Sequence, residues 1–523
     1  MPFTLIQAGS SLQLMKTNGS LTTLTLPTGV TIDSSRVPRF TIFGRYVVVV
    51  NSPTRPLTVD ADGVVRVLTP IAPRTPATLS AVAGGTLTGT YIVAYTYVVF
   101  DAFRQIISES PFSPLSASQS VTTQYLRAAS LDLSSDSISA IRLYRTTTGG
   151  DGTTLFPWID IEGNTQTSVQ DDLADALLDN VAGPTLGAPA LFTNIGEFRE
   201  RLWAVATTDV DTLRYSESSK MYAWPSTNQI KIPRIGSDDR GITGILARRE
   251  ALAIARQNSL VQITGNSNTD FRVVKLSNEV GVEAPDSIAG FRDAIFFLAK
   301  DGVYRWDSEG IRCMSDGKTS NWFTTDTYFN RGRFQYAVGR IDHATSKYQL
   351  LLSAVGSSNL DRWVEFDLRE STWWGPHKTD AFTPTWMGSI LDSSNLYNPV
   401  HGSSTGFIYQ EQDTRTDDTS TGIAFDVDGK FHDMQTPDIE KYFGELALIS
   451  KKQSAGTLTI NPYVGGLDAA AGTPILADMT KGRERLRRLG SGRFVKLNLQ
   501  HSAAGQDVEI FGYELPFHEL GRR

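Results

Sequence analysis

The feature that most constrains the fold is a short sequence pattern that the chain repeats. Each copy is an apolar run, a polar turn and a second short apolar run that often ends in an aromatic residue. Six copies pair residues 46–50 with 56–59, 202–205 with 213–215, 252–254 with 260–263, 295–298 with 302–306, 348–352 with 363–366 and 388–391 with 406–409. Strands that recur at roughly 40 residues and cannot bury both faces alone are typical of propeller blades. The sequence therefore predicts a β-propeller of about six blades.

Length and composition favour several all-β domains. The chain has 523 residues, which is more than one hydrophobic core usually serves. Its 44 glycines and 23 prolines are spread throughout, and Val, Ile, Thr and aromatic residues fill the apolar runs between them. This pattern favours short strands joined by tight turns. The single cysteine, Cys313, cannot form an intrachain disulfide, and we expect a buried, inert thiol.

Two further units interrupt and follow the repeat. Between its first and second copies, proline-rich segments bracket a block of about the ~100-residue size of an immunoglobulin-like or fibronectin-III-like sandwich. Within this block Ile141 and Leu143 are predicted to face inward, and Arg142 and Tyr144 outward. The predicted division is an N-terminal segment with the first blade (1–71), an inserted β-sandwich with its own core (72–189), the remaining blades (190–415), a polar linker (411–421) and a C-terminal β-sandwich (422–523). The propeller is therefore expected to be discontinuous in sequence.

Charge and the first residues constrain partners and location. The formal net charge is −7, which is not the footprint of a tight nucleic-acid binder, so we expect at most weak, salt-dependent DNA binding by the isolated chain. The first residues lack the basic start and apolar core of a signal peptide, and no stretch approaches the ~20 apolar residues of a membrane span. We therefore expect no membrane segment and a chain kept in the cytoplasm in which it is made.

Several short strings follow one another in a defined order along the chain. They are Gly89-Thr90-Tyr91 and residues 141–146 in the predicted insert, residues 254–265 followed by 278–281, residues 297–304, and the closing Gly512-Tyr513-Glu514-Leu515. None of these strings is specific by itself. In this order, and over most of the chain, they resemble the tail nozzle proteins of short-tailed bacteriophages, also described as packaged-DNA stabilisation or tail-hub proteins.

The resemblance implies a structural virion protein without enzymatic activity. It implies a homohexameric ring below the portal and adaptor, with a central channel for double-stranded DNA that retains the packaged genome and conducts it during ejection. Tail fibre or tailspike proteins are the further partners that it implies. The expected location is the virion tail, and the host cytoplasm during assembly.

Two clusters are candidates for contacts with partners. The densest basic stretch contains Lys481, Arg483, Arg485, Arg487, Arg488 and Arg493. It is suited to a phosphate backbone or to an acidic face of a neighbouring subunit, and a solvated loop is the alternative. Trp373 and Trp374 are candidates for an interface anchor, because tryptophan is enriched at binding hot spots. Packing between blades explains this pair at least as well.

Enzyme and metal motifs find little support in the sequence. Residues 402–406 match Gly-x-Ser-x-Gly beside His401, but a strand follows where a nucleophile elbow needs a helix, so a hairpin is expected. Residues 60–63 and 426–429 lack the spacing of a calcium loop, and the six histidines lack zinc spacing. Carboxylates such as Asp238, Asp239 and Glu365 form no selectable pair. We expect no catalytic residue, metal or cofactor. The alternatives are a secreted or surface carbohydrate-active propeller, and a tail-hub or fibre-attachment protein of another phage type.

Overall fold

The computed structural model is all-β, as predicted. It describes residues 3–51, 54–179, 182–234, 240–248, 250–317, 319–379, 382–392, 394, 396–411, 417–418, 421–422, 424–503, 506 and 508–521. Within these residues the helices are one short α-helix, α1 (Ser320–Thr324), and the 3₁₀ helices Asp175–Leu177, Pro285–Ser287 and Arg331–Tyr336. No helix in the described part of the chain is long and apolar enough to span a membrane.

The chain divides into two compact units. The first unit comprises residues 1–375 and 386–400, and the second comprises 376–385 and 401–523. The four-part division expected from the sequence rests on sequence patterns and not on compactness, and it stays a prediction. Each unit is described by itself below.

The first unit begins with two small antiparallel sheets. One contains β1 (Phe3–Ala8), β2 (Ser11–Lys16) and β3 (Leu21–Thr23), and the other contains β4 (Arg39–Phe43), β5 (Tyr46–Val50), β6 (Leu57–Val59) and β7 (Val65–Val67). The predicted insert follows with β8 (Thr78–Tyr91), β9 (Val93–Phe100), β10 (Ile106–Glu109), β11 (Gln119–Ala129), β12 (Ala140–Arg145), β13 (Phe156–Glu162) and β14 (Val169–Asp171).

A series of further sheets then continues the repeat. Four four-stranded sheets are β15 (Phe192–Phe198), β16 (Arg201–Ala206), β17 (Thr212–Tyr215) and β18 (Gln229–Lys231); β19 (Gly244–Ala247), β20 (Leu252–Ala255), β21 (Leu260–Thr264) and β22 (Arg272–Ser277); β23 (Ala289–Phe291), β24 (Ala294–Leu298), β25 (Val303–Asp307) and β26 (Gly310–Cys313); and β27 (Val338–Asp342), β28 (Lys347–Leu352), β29 (Arg362–Asp367) and β30 (Thr372–His377). A three-stranded sheet contains β31 (Pro384–Leu391), β32 (Tyr397–Ser403) and β33 (Ile408–Gln410). Neighbouring strands are consecutive in sequence within each of these sheets.

The repeated sequence pattern corresponds to the second and third strands of a sheet in five of its six copies. For example, residues 252–254 lie in β20 and residues 260–263 lie in β21, which pair with each other. The last copy differs, because its two runs lie in β31 and β33, with β32 between them. The sequence of β32, Tyr-Asn-Pro-Val-His-Gly-Ser, has no continuous apolar run and so gave no strand signal.

Both faces of the second strands are buried, so successive residues contact different neighbours. Trp203 of β16 shares a core with Leu252 of β20, whereas Leu202 shares a core with Val48 of β5. The same alternation continues along the series, with Ala253 and Ala255 of β20 packed with Ile295 and Phe297 of β24, and Phe296 and Leu298 of β24 packed with Leu350 and Leu352 of β28. Each fully buried Leu, Ile, Val or Phe side chain in these cores contributes about 1.5–3 kcal/mol. Consecutive sheets therefore pack face to face.

The predicted insert is built from two sheets that share a core. Their strand orders are β14-β11-β8 and β10-β9-β12-β13. Ile141 and Leu143 lie in the shared core as expected, but Tyr144, predicted to face outward, is also buried. It packs with Phe112 and Leu155 on the opposite face of its sheet. Tyr144 therefore faces away from the shared core as predicted, but this outer face is covered as well.

The outer face of the insert is covered by the sheet series. Val99 and Ile107 of the insert share a core with Phe192 and Trp224. The Ser108 hydroxyl donates to the carbonyl oxygen of Leu68 at 2.8 Å. The insert therefore shares part of its buried surface with the sheets before and after it.

The second unit contains two packed sheets. Its strands after β33 are β34 (Asp417–Asp418), β35 (Thr421–Gly422), β36 (Phe425–Asp428), β37 (Glu440–Ser450), β38 (Thr457–Gly465), β39 (Ile475–Asp478), β40 (Arg483–Gly492), β41 (Phe494–His501), β42 (Ile510–Glu514) and β43 (Phe517–Gly521). One sheet has the order β36-β41-β38-β39, and the other has β40-β37-β42 with β43 also paired to β37. Leu446, Leu448, Ile460 and Leu497 lie between them. Most of the predicted linker, residues 411–421, lies outside the described residues.

Candidate functional site

The first strands of the sheets converge on a small cavity. β15 lies against both β4 and β19, and β27 lies against β23 and the 3₁₀ helix Pro285–Ser287. A cavity of about 180 Å³ is lined there by Arg39, Phe40, Asn194, Ile195, residues 244–246, Pro285, Asp286 and Ile288. Its wall thus comes from four separate parts of the sheet series. None of these residues was singled out by the sequence.

An ion pair crosses from the first four-stranded sheet to the helix before β23. The Arg39 guanidinium donates from Nη1 to Oδ1 of Asp286 and from Nη2 to Oδ2 at 3.3 Å. Its Nε also donates to Oδ1 of Asn194 at 3.4 Å. The two charged groups satisfy each other, so the arrangement offers a link between sheets rather than a free acid, base or nucleophile.

A second set of links joins the turns between the first and second strands of consecutive sheets. These links, which we call the first-turn belt, are Arg199–Glu250 (2.8 Å), Arg248 Nη2 to the carbonyl oxygen of Asp293 (2.7 Å), and the ring contacts Phe291–His343 and His343–Tyr397. Arg199 and Glu200 have positive φ values of 53° and 55°, which hairpin turns usually reserve for Gly, Asn or Asp. The belt therefore places charged side chains at turns where other residues are conformationally easier.

The basic stretch of the sequence is an edge strand, not a loop. Residues 483–492 form β40, which pairs with β37. Arg483, Arg485 and Arg488 lie opposite Ile449, Ala447 and Glu445. A register shift between Glu445 and Ala447 sets two residues of β40, Leu486 and Arg487, against Leu446. This bulge brings Arg488 to the same face as Arg483 and Arg485.

Half of the basic side chains have partners. Lys481 pairs with Glu484 and, at 3.8 Å, with Asp478, and the Glu484 carboxylate raises the pKa of the Lys481 ammonium. Arg483 pairs with Glu514, and Arg487 donates to the carbonyl oxygen of Thr473. Arg485, Arg488 and Arg493 are exposed, and they have no carboxylate partner among the residues that the structure describes. These three arginines remain the candidates for contacts with an anionic partner.

The two adjacent tryptophans have different surroundings. Trp373 packs with Phe366 and Trp322, and its Nε1 donates to the carbonyl oxygen of Met314 at 2.9 Å. Trp374, by contrast, is 53% exposed. Trp373 therefore contributes to packing between sheets, and Trp374 is the one free to contact a partner.

The residues of the enzyme-like motif are engaged in local bonds. The Ser403 hydroxyl bonds with Thr405 and accepts from the Phe407 amide, and His401 bonds with Glu411. These residues lie in and after β32, followed by β33, which is the predicted hairpin. Glu365 accepts from Lys347 and Gln349.

The remaining candidates from the sequence are acidic turns and side chains that could bind a metal. Asp60 accepts from the amides of Asp62 and Val64, as a tight turn requires. Asp238 and Asp239 lie outside the described residues. Within the described ranges, no three His, Cys, Asp or Glu side chains group as metal ligands would. Cys313, expected to be buried, is half-buried, and its Sγ lies 3.5 Å from the Ser315 hydroxyl.

One buried titratable group was not predicted from the sequence. Glu109 is 1% exposed and accepts hydrogen bonds from Thr96 at 2.8 Å and Tyr144 at 2.6 Å. Its second oxygen, Oε2, has no partner among the described residues. Burial raises the pKa of the Glu109 carboxyl above its usual range. Nothing in the string Ser108-Glu109-Ser110-Pro111 marks this residue as buried.

The comparisons with known proteins add little. No protein-family model matches the chain, and no curated protein does. Among solved structures, the chain is similar to the crystal structure of BamB from Moraxella catarrhalis, with 12% identity and a TM-score of 0.32 over 79% of this chain and 94% of that one. A similarity this low carries no argument about function.

Proposed function

We propose that this chain is a structural tail nozzle protein of a short-tailed bacteriophage. Six copies would form a ring below the portal and adaptor and enclose a channel for double-stranded DNA. The ring would retain the packaged genome and conduct it during ejection, without enzymatic activity. It would contact tail fibre or tailspike proteins, and it would be found in the virion tail and, during assembly, in the host cytoplasm.

The observation that carries this proposal is the order of the sheets along the chain. After the N-terminal three-stranded sheet, a four-stranded sheet, the two sheets of the insert, five further small sheets, the two-stranded sheet β34–β35 and two packed terminal sheets follow one another. This is the order in which the resemblance to tail nozzle proteins places its propeller, insert and terminal sandwich. In the proposed fold, β4–β7 and the five sheets from β15 to β33 are six blades of a β-propeller, and residues 72–189 are an immunoglobulin- or fibronectin-III-like insert.

The proposed ring would be held together by contacts between two different surfaces of each copy. Subunits related by rotation meet through two different surfaces, and such heterologous contacts close into a ring when the rotation allows it. The exposed Trp374 supplies a surface suited to these contacts.

The test is to locate and count the chain in purified virions. We expect an antibody against the C-terminal unit to label the tail axis in electron micrographs, and quantitative mass spectrometry to give about six copies per particle. An antibody against the major capsid protein serves as the control for labelling position. Label away from the axis, or a copy number far from six, would refute the nozzle assignment.

A further inference from the structure

The outer face of β40 carries a row of arginines with defined spacing. Arg483, Arg485 and Arg488 share one face through their register with β37. Neighbours on one face of a strand are about 7 Å apart, since each residue adds ~3.4 Å. The row continues through Gly490 and Gly492, which lie opposite Phe443 and Lys441. A side chain added at Gly490 would meet nothing within 4 Å, whereas one added at Gly492 would meet the backbone of Gly465, so this face is open beyond Arg488 only as far as Gly490.

The positive charge of this face is left uncompensated at one end. Glu514 neutralises Arg483, whereas Arg485 and Arg488 have no carboxylate partner within the described residues. Arg493 is exposed just beyond the strand. The carboxylate nearest in register is Glu445, which lies opposite Arg488 without forming an ion pair in the described structure.

A buried lysine adds to the same positive region. Lys441 is 0% exposed, and its ammonium donates to the carbonyl oxygens of Thr436, Ile439 and Arg493. The bond to Arg493 fixes the main chain from which that exposed guanidinium extends. Because the ligands of Lys441 are neutral carbonyls, its charge adds to the local potential instead of being cancelled.

We infer that Arg485, Arg488 and Arg493 form a contact strip for the phosphate backbone of duplex DNA. The exposed cations of residues 483–493 are all arginines. The planar guanidinium matches phosphate oxygens in a bidentate manner better than the lysine ammonium does. Duplex DNA carries one charge per about 1.7 Å of its axis, so a group of closely spaced arginines faces several phosphates at once. Three unpaired arginines per copy give a contact that salt weakens readily. The inference rests on the proposed function, which supplies the duplex.

The experiment measures binding of a fluorescein-labelled duplex of about 30 base pairs to the full chain, by anisotropy, between about 50 and about 200 mM salt. We expect Arg485→Ala/Arg488→Ala to reduce the slope of log affinity against log salt by about 2, because each phosphate contact contributes about 1. The matched control is Arg104→Ala/Arg312→Ala, which removes the same charge from exposed arginines elsewhere that are paired with Glu162 and Glu309. Thermal melting confirms that both variants fold.

Several outcomes would overturn the inference. One is the absence of binding by the parent chain at the lowest salt, and another is an equal loss in the control variant, which would make net charge the only cause. Loss of self-association in sedimentation, with DNA binding intact, would assign the strip to the acidic face of a second copy. The proposed function and the DNA-contact strip can fail separately. If the chain is absent from virion tails but still binds DNA through Arg485 and Arg488, the nozzle assignment is refuted and the strip is retained.

Discussion

Arg39 and Asp286 are 247 positions apart in the sequence, yet their side chains form a two-bonded ion pair. Arg39 lies on the first strand of the first four-stranded sheet, and Asp286 lies in the 3₁₀ helix that precedes β23. Their side chains are 23% and 22% exposed, so solvent screens the pair only in part. The pair therefore joins sheets that are distant in sequence, at the cavity on which their first strands converge.

We expect Arg39→Ala and Asp286→Ala each to lower stability by about 1.5–3 kcal/mol, the range for hydrogen bonds between charged groups. The double variant should lose less than the sum, because the two residues act as one unit. Chemical denaturation of the four proteins of this cycle measures the coupling. The control pair is Arg104 and Glu162, which are 64% and 61% exposed and should couple weakly. Additive effects at Arg39 and Asp286 would contradict the link.

The buried Glu109 predicts an unusual dependence of stability on pH. Its pKa is raised in the folded chain, so the folded state binds this proton more tightly than the unfolded state does. The stability that it contributes is present in full below the unfolded pKa of about 4.5, and is lost as pH rises through the folded value. Glu109→Gln should therefore melt higher than the parent above neutral pH, with the difference shrinking toward about pH 5. Glu162→Gln, at an exposed site, should show no such trend.

The interface between the insert and the sheet series should contribute to stability. Trp224 is 1% exposed, packs on Phe192 and shares a core with Val99 of the insert. Trp224→Ala should cost about 3–5 kcal/mol, as for other large aromatic side chains removed from cores. Deletion of residues 72–189 should expose this surface and increase binding of a hydrophobic dye, in contrast to the expectation of a self-contained insert. A deletion variant that melts like the parent and binds no dye would restore that expectation.

The strands that the sequence predicts best are the continuous apolar runs, because a strand buried on both faces has few polar residues. β16, β20, β24 and β28 are of this kind, since both of their faces pack against other sheets. Short or polar strands such as β18 (Gln229–Lys231) give no such signal. β40 was not predicted as a strand for another reason. Its bulge places the core residues Leu486 and Leu489 three residues apart, which breaks the alternation typical of a strand.

The candidate sites were harder to predict, because they depend on how the sheets meet. The basic composition of β40 is visible in the sequence, but which of its arginines are paired depends on distant residues such as Glu514. Arg39 and Asp286 stand in unremarkable strings, and only the convergence of first strands brings them together. In the same way, burial of Glu109 follows from coverage of the second face of its sheet.

The adjacent tryptophans provide the last prediction. Trp373 is enclosed by aromatic rings and bonded to the Met314 carbonyl, so Trp373→Ala should lower stability by about 3–5 kcal/mol. Trp374 is 53% exposed, so Trp374→Ala should change stability by no more than about 0.5 kcal/mol. If Trp374 is an interface anchor of the proposed ring, virions complemented with this variant should contain fewer copies of the chain while the purified protein melts normally. Normal copy number and infectivity would remove Trp374 from the interface and leave Trp373 as a packing residue alone.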